Sequence, residues 1–498
     1  MTAKTVSAVC AVLLSFGVFG GVRAEDNNGM AWGASSANNK DVTTVQEDNA
    51  RLHDQVQALE NELADIKKAL GKPVVAPTNT STESKPATVA EPKPAAPAES
   101  KSPTTAGSKS TAPFQFTDAE VAQLKKLANS NKKPMMSSLD MEFYGYVKAD
   151  ASHDSQRTSI GDYARWVESE QEVKNNGQFT LTANQTRLGV KATGPTVGKM
   201  HSSVLVEIDF YGGGTENKPV PMMRHAYLNL DWPDDQFSIL AGQTWDVISP
   251  LFMPTLNYSV GWWQGDIGYR RPQIRLTKGF EMSKDVQLKL EAAITRDIGR
   301  ATDFTESYSD SGQDSAIPGL QGRASVTFPG FNHLPTTVGF SGHWAQENIN
   351  HTNTFANPTT IDSRSFNFDL TLPITKRLSV MGAAYTGQDL DQYLGGIGQG
   401  YDATRNRAIR DSGGWTALTL KPAPKWTFNV GGGLSKVPNG DVTPATGRVF
   451  NGVLFGNAQY AFTSNFTLGY EMSYLKTDYK GEADGEDLRE QMSFIYKF

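Results

Sequence analysis

The sequence predicts an all-β membrane barrel: a 16-stranded antiparallel transmembrane β-barrel, preceded by a periplasmic α-helical coiled coil and a disordered linker. Three observations predict it. From about Met141 onward, apolar residues recur with a period of two. The connections between the resulting strands alternate long and short. After the first two dozen residues, no apolar run approaches the roughly 18–20 residues that a membrane helix needs.

The N-terminus supplies the route to a membrane. Lys4 and the apolar run from Val6 to Phe19 have the layout of a secretory signal peptide. Val22-Arg23-Ala24 precedes a cut ahead of Glu25, so residues 1–24 read as that peptide. Cys10 is the one cysteine and lies inside it, so the mature chain has no disulfide, thiol nucleophile or thiolate metal site. In segment 25–70, Val42, Val45, Asn49, Leu52, Val56, Leu59, Leu63, Ile66 and Leu70 alternate spacings of three and four. That predicts a coiled coil over about 42–70, with Asn49 as a polar register device. Leu63 at a with Ile66 at d leans toward more than two helices. Gly71 and Pro73 end it. Residues 71–113, rich in Pro, Ala, Ser and Thr, cannot bury a core and read as an extended linker. Thr117 and Glu120 form a capping box before Val121, Leu124 and Leu127, a short helix in the approach 114–140 to a barrel domain 141–498.

The barrel strands show their faces plainly. Phe466, Leu468, Tyr470, Met472 and Tyr474 alternate with Thr467, Gly469, Glu471 and Ser473. Phe366, Phe368, Leu370 and Leu372 alternate with Asn367, Asp369 and Thr371. One apolar and one polar face over about ten residues fits a strand between lipid and water. The strands fall near 141–152, 178–194, 200–212, 222–232, 237–246, 269–278, 285–297, 319–328, 336–347, 363–373, 378–388, 412–421, 426–436, 447–462, 466–478 and 488–498. Every odd-numbered connection then outruns every even-numbered one: the shortest of the first set are 213–221 and 479–487, the longest of the second 329–335. Outer-membrane barrels have long external loops and short periplasmic turns. Trp232, Phe237, Trp426, Tyr460, Phe462 and Phe466 flank the short turns, where an interfacial girdle is expected.

A barrel of this size encloses water, so function belongs to its inward face and to loops that enter the lumen. Taking the apolar set as outward places Lys148, Arg187, Lys191, Arg271, Arg275 and Arg323 inside. Guanidinium groups hold carboxylates through a planar fork, and a row of them concentrates anions along a wall. Asp150, Glu207, Asp209, Glu291 and Asp369 are also expected inside, so the same arginines equally serve as paired wall residues. Arg224 falls outward by register. The third long connection, about 247–268, holds Leu251, Phe252, Met253, Leu256, Tyr258, Trp262 and Trp263, with Asp266 as its only charge. So apolar a loop either folds into the barrel, the favoured outcome, or packs on a neighbouring subunit.

Other chemistries have little support. A net charge of −6, with the acidic excess confined to the part after residue 140, argues against nucleic acid as a partner. No nucleotide loop or paired-histidine spacing is present, so neither an enzyme nor a cofactor is predicted. Asp303, Glu306, Asp310 and Asp314 read as a solvated acidic loop before they read as a divalent site.

A signal peptide, a coiled coil, a Pro/Ala linker and then FYGYVKADA resemble the DcaP-like outer-membrane porins, and QTRLGVKAT, MRHAYLNLDW, ILAGQTWD and RRPQIRLT resemble their early strands. The closing FIYKF, ending on Phe498, is similar to the aromatic signal read by the outer-membrane assembly machinery. The resemblance implies a homotrimer of barrels in lipid and lipopolysaccharide, each with its own pore, taking up small organic dicarboxylates such as succinate or phthalate-like compounds. The long basic and proline-rich linker departs from that pattern. A different function class stays open: an envelope tether, whose coiled coil and linker contact the periplasm or peptidoglycan while the barrel is chiefly an anchor.

Overall fold

The computed structural model describes residues 139–171, 176–213, 219–298, 308–309, 315–351 and 359–498. The expected signal peptide, coiled coil, linker and capped helix lie outside the described residues, as do Asp303, Glu306, Asp310 and Asp314.

The sheet runs in chain order through β1 (Asp140–Asp154), β2 (Gln178–Thr182, resuming as Arg187–Thr193), β3 (His201–Asp209), β4 (Met222–Trp232), β5 (Phe237–Trp245), β6 (Arg270–Ser283), β7 (Val286–Thr295) and β8 (Gly319–Pro329). It continues with β9 (Pro335–His351), β10 (Thr359–Pro373), β11 (Leu378–Gln388), β12 (Arg410–Ala423), β13 (Trp426–Lys436), β14 (Arg448–Ala461), β15 (Phe466–Tyr479) and β16 (Gly485–Lys497). Each pairs antiparallel with the next, and β16 returns to β1 from Lys497↔Tyr146 to Arg489↔Asp154. Phe498 completes that seam: its N–H donates to Gly145 O at 3.1 Å and its carbonyl accepts from Gly145 N at 3.2 Å. Closure leaves the sheet without a free edge along the seam, which lipid requires because it offers no hydrogen bonds.

The two faces are inverted relative to a protein that folds in water. Phe366, Phe143 and Leu454 are 74%, 70% and 65% exposed on the outside, whereas Asp154, Asp209 and Arg271 are fully buried within. Such a surface is stable only where hydrocarbon covers it. At the short-turn end, Trp426 packs on Phe428 and Tyr460, Tyr460 on Phe462, and Phe462 on Phe466, with centroids 4.8–5.3 Å apart. Trp232 meets Phe237 at 5.6 Å across another short turn, that of β4–β5. These are the girdle residues read from the sequence.

Two expectations are corrected. The long loops are L1 (155–177), L2 (210–221), L3 (246–269), L4 (296–318), L5 (352–358), L6 (389–409), L7 (437–447) and L8 (480–484). L5 does not exceed the turn 194–200 and L8 is shorter than it, so the strict ordering of connection lengths fails. The reason is that β9, β10, β15 and β16 continue past the apolar band on polar cross-strand pairs. Gln346 Nε2 donates to Asp362 Oδ1 at 3.0 Å, Thr360 Oγ1 to Asn348 Oδ1 at 2.7 Å, and Lys476 meets Glu486 at 3.1 Å. Apolar periodicity is blind to such extensions.

The second correction is Arg224, which points inward and is 3% exposed. Pairing between β3 and β4 jumps from Glu207↔His225 to Ile208↔Met223, so Arg224 is the extra residue of a β-bulge. A bulge breaks the two-residue period and re-aims one side chain. Here it brings Arg224 to Glu207 at 2.8 Å and Asp209 at 2.7 Å.

Charge pairs at the seam make closure sensitive to single changes. Arg489 Nη1 donates to both Asp154 oxygens at 2.8 and 2.9 Å, and Nη2 to Ser152 Oγ at 2.9 Å. Arg489→Met leaves Asp154 buried and unpaired, at a cost of about 3–5 kcal/mol. The variant should convert to its unfolded gel mobility at a lower temperature than the parent, whereas Arg364→Met, on an exposed side chain, should not.

Candidate functional site

L3 crosses the lumen. Its base is tied by Asp246: the Asp246 and Tyr269 backbones bond at 2.8 Å, and Asp246 pairs with Arg271 at 2.7 Å while accepting from Gln321 at 2.7 Å. From there the loop reaches strands far from its own. Glu471 of β15 accepts from Leu256 N at 2.6 Å and Asn257 N at 3.3 Å. Leu256 O accepts from Lys148 Nζ of β1 at 2.7 Å and Gln491 Nε2 of β16 at 3.0 Å. From β14, Asn457 donates to Pro254 O at 2.8 Å and Asn451 to Trp263 O at 2.9 Å. A backbone crossing a lumen must find partners for its own polar groups, and inward Asn, Gln and Glu supply them. On the returning arm, Gly265 has φ +110°, and a Cβ there would stand 2.3 Å from Gly414 O. Only glycine permits both the backbone shape and the approach to β12.

The apolar side chains of L3 are buried by other loops as well as by the wall. Tyr163 of L1 lies 5.2 Å from both Tyr211 of L2 and Tyr258 of L3, and Tyr211 and Tyr258 are 3.9 Å apart. Trp166 of L1 meets Trp263 edge-on at 6.3 Å, and Trp262 packs against Trp245 at 5.9 Å. Ile397 of L6, Ile409, Val437, Val442 and Val449 join the same cluster. L1 is bound in turn: Val167 N donates to Thr477 Oγ1 at 2.9 Å, Tyr479 OH to Val167 O at 2.7 Å, and Asn257 Nδ2 to Ala164 O at 3.3 Å. Sequence reasoning singled out L3 and passed over Tyr163, Trp166, Tyr393 and Ile397, because L1 and L6 mix their apolar residues with charges such as Arg157, Asp162, Glu168, Asp389, Asp391 and Arg405 and so fail the apolarity test that L3 passes. Below L3, a cavity of ≈ 480 Å³ at the short-turn end is lined by Pro254, Met381, Thr419, Asn429 and Gln459.

The candidate cations divide into four kinds. Lys148 and Arg271 are struts: Lys148 also pairs with Asp150 at 3.2 Å, and Arg271 lies 3.7 Å from the Tyr393 ring centre and donates to Gln392 O at 3.1 Å, holding L6. Arg323 is a wall pair, bidentate to Asp369 at 2.7 and 3.0 Å and 3.1 Å from Glu291. Arg187 and Arg275 keep side-chain exposures of 24% and 16%; Arg187 is 3.4 Å from Glu207, and Arg275 is 3.9 Å from Glu291 and donates to Gln273 Oε1 at 3.0 Å. Lys191 stands exposed toward the short-turn mouth.

Asp266 needs a separate account. Its Oδ1 accepts from Ser249 Oγ at 3.0 Å, Ile267 N at 3.1 Å and Trp415 Nε1 at 3.3 Å, and its Oδ2 has no partner. Complete burial raises its pKa well above the ordinary carboxylate range, more than these donors lower it. Burial likewise raises the Tyr258 hydroxyl, which stays neutral and donates to Asp209 at 3.1 Å.

No protein-family model and no curated protein matches the sequence. Among solved structures, the chain is similar to the outer membrane channel DcaP of Acinetobacter baumannii, with a TM-score of 0.59 at 19% identity over 72% of this chain and 98% of that one. The anion-selective porin from Comamonas acidovorans aligns with a TM-score of 0.48 at 9% identity, over 72% and 100% of the two chains. OprB of Pseudomonas putida aligns with a TM-score of 0.48 at 11% identity, over 75% and 97%. The likeness to DcaP shows the fold, a closed antiparallel barrel of the kind that channel has, and agrees with the DcaP-like resemblance of the opening strands.

Two outcomes test L3. Because folding raises the Asp266 pKa, its stability contribution is full below the ordinary carboxylate pKa of about 4 and declines as pH rises, by up to about 1.4 kcal/mol per unit. The unfolding temperature of Asp266→Asn relative to the parent should therefore climb between pH 5 and pH 8. Gly265→Val should push the returning arm off β12 and change single-channel conductance, while the barrel's gel mobility stays that of a folded protein.

Proposed function

We propose that the chain is an outer-membrane diffusion porin, a channel and not an enzyme, that passes small anionic solutes, organic dicarboxylates among them. L3, carrying Tyr258, Trp262, Trp263 and Asp266, forms the constriction, and Arg187, Lys191, Arg275 and Arg323 line the path with Lys148 and Arg271 behind it. The observation that carries this reading is the anchoring of L3 to Lys148, Glu471 and Gln491, together with guanidinium groups on inward strands that keep part of their surface open. A carboxylate entering such a passage loses water, and a planar guanidinium fork offsets that loss through paired charge-assisted bonds. The assembly that fits is the homotrimer implied by the DcaP-like resemblance, inserted with Phe498 at the closing strand.

Planar-bilayer recording tests this. The parent should prefer chloride to potassium, and succinate or phthalate should block its chloride current. Arg187→Gln and Arg275→Gln should each raise the half-blocking concentration about tenfold, equivalent to about 1.4 kcal/mol and within the range of one hydrogen bond to a charged group. Cation preference with no block by either diacid would overturn the reading.

A further inference from the structure

The buried and half-buried arginines around L3 are not electrically alike. Arg187 and Arg224 face Glu207 and Asp209. Arg271 faces Asp246, and Arg489 faces Asp154. Arg275 and Arg323 share Glu291, and Arg323 also holds Asp369. Each cation with a carboxylate at contact distance forms a dipole, and the field of a dipole fades faster with distance than that of a lone charge.

Arg165 and Arg270 differ: among the described residues, no carboxylate oxygen lies within 4.0 Å of either. Arg270 is 2% exposed, and its Nε and Nη1 have no hydrogen-bond partner. Its guanidinium carbon stands 4.7 Å from the Trp245 ring centre and 5.1 Å from that of Tyr269. The nearby Asp209 is already held by Arg224 at 2.7 Å, with the Tyr258 hydroxyl between Asp209 and Arg270. Arg165 lies 4.2 Å from the Trp166 ring centre and 5.4 Å from that of Trp263, and its Nε donates to Ser159 Oγ at 3.2 Å. The two cations thus flank one aromatic cluster, Arg270 beside the Trp245–Trp262 contact and Arg165 beside Trp263 and Trp166.

We propose that Arg165 and Arg270, rather than the ion-paired arginines of the wall, set the sign of the pore's charge selectivity. Aromatic rings hold these cations by their faces without neutralising them. Surrounded by protein, such charges are screened less by salt than exposed ones. Their fields add in the space between L1, L3 and the wall and raise the local concentration of anions there. Arg270 acts at a distance because it is covered, whereas Arg165, half-buried on a loop, also meets solute directly. Neither belongs to the row of inward guanidiniums that periodicity picks out. The inference rests on the anion-passing reading and refines which residues carry it.

The test is the reversal potential of the full-length protein in a planar bilayer under a potassium chloride gradient. Arg165→Gln and Arg270→Gln should each lower the chloride-to-potassium permeability ratio by at least about threefold, and the double variant should lose anion preference. Arg270→Lys keeps the charge without the planar group and should retain most of the preference. If Arg270→Gln does not fold, Arg165→Gln and Arg270→Lys still decide the matter. An unchanged ratio in Arg165→Gln and Arg270→Gln, together with a large drop in Arg187→Gln or Arg323→Gln, would overturn the proposal and leave the anion reading intact. A parent pore that prefers cations would overturn the anion reading itself.

Discussion

Every backbone donor and acceptor at membrane depth must find its partner inside the protein, because lipid supplies none. That constraint closes β16 onto β1 and brings Phe498 into contact with Gly145. It also dictates the two faces, since a closed sheet exposes one side of every strand to hydrocarbon and encloses the other. Phe143, Phe366 and Leu454 follow from the first condition; Asp154, Asn451 and Arg489 follow from the second.

The enclosed side then faces an electrostatic problem. Charges drawn into a crowded lumen lose water, and most of them are matched by a partner across one or two strands, as Arg323 is with Asp369 and Arg489 with Asp154. Matching of this kind stiffens a wall more than it charges it. The same polar groups hold the loops. Glu471, Gln491 and Asn457 satisfy the backbone of L3, and Asn451 does so for both L1 and L3. A loop as apolar as L3 can cross a watery interior only because its rings bury one another, each large side chain contributing about 1.5–3 kcal/mol.

Much of this was legible in the linear sequence. The strand positions, the girdle residues around Trp426 and Tyr460, and the inward placement of Asp150, Glu207, Asp209, Glu291 and Asp369 all follow from a period of two. Arg224 was misplaced because a bulge adds one residue without leaving a mark in hydrophobicity. The outer ends of β9, β10, β15 and β16 were missed because cross-strand polar pairs such as Lys476 with Glu486 carry no apolar signal. The candidate site was legible as an apolar third loop that enters the barrel and as a list of inward cations. Nothing in the spacing of Arg271 and Arg275 tells that the first is a covered strut for L6 and the second a partly open wall residue.

By itself, then, the sequence determined the barrel, its strand count and, outside the bulge at Arg224, which strand side chains face inward, since alternation across a lipid boundary is a local property written residue by residue. Tertiary structure decided which of the inward charges are neutralised and which loops share the lumen. Both depend on pairings between segments far apart in the chain, such as Lys148 with Leu256 or Asn451 with Trp263, and ion pairing is a property of distance that no spacing along one strand encodes. Arg165 and Arg270 stand apart from the ion-paired arginines of the wall for that physical reason: they lie against rings instead of carboxylates, which only the folded chain can arrange.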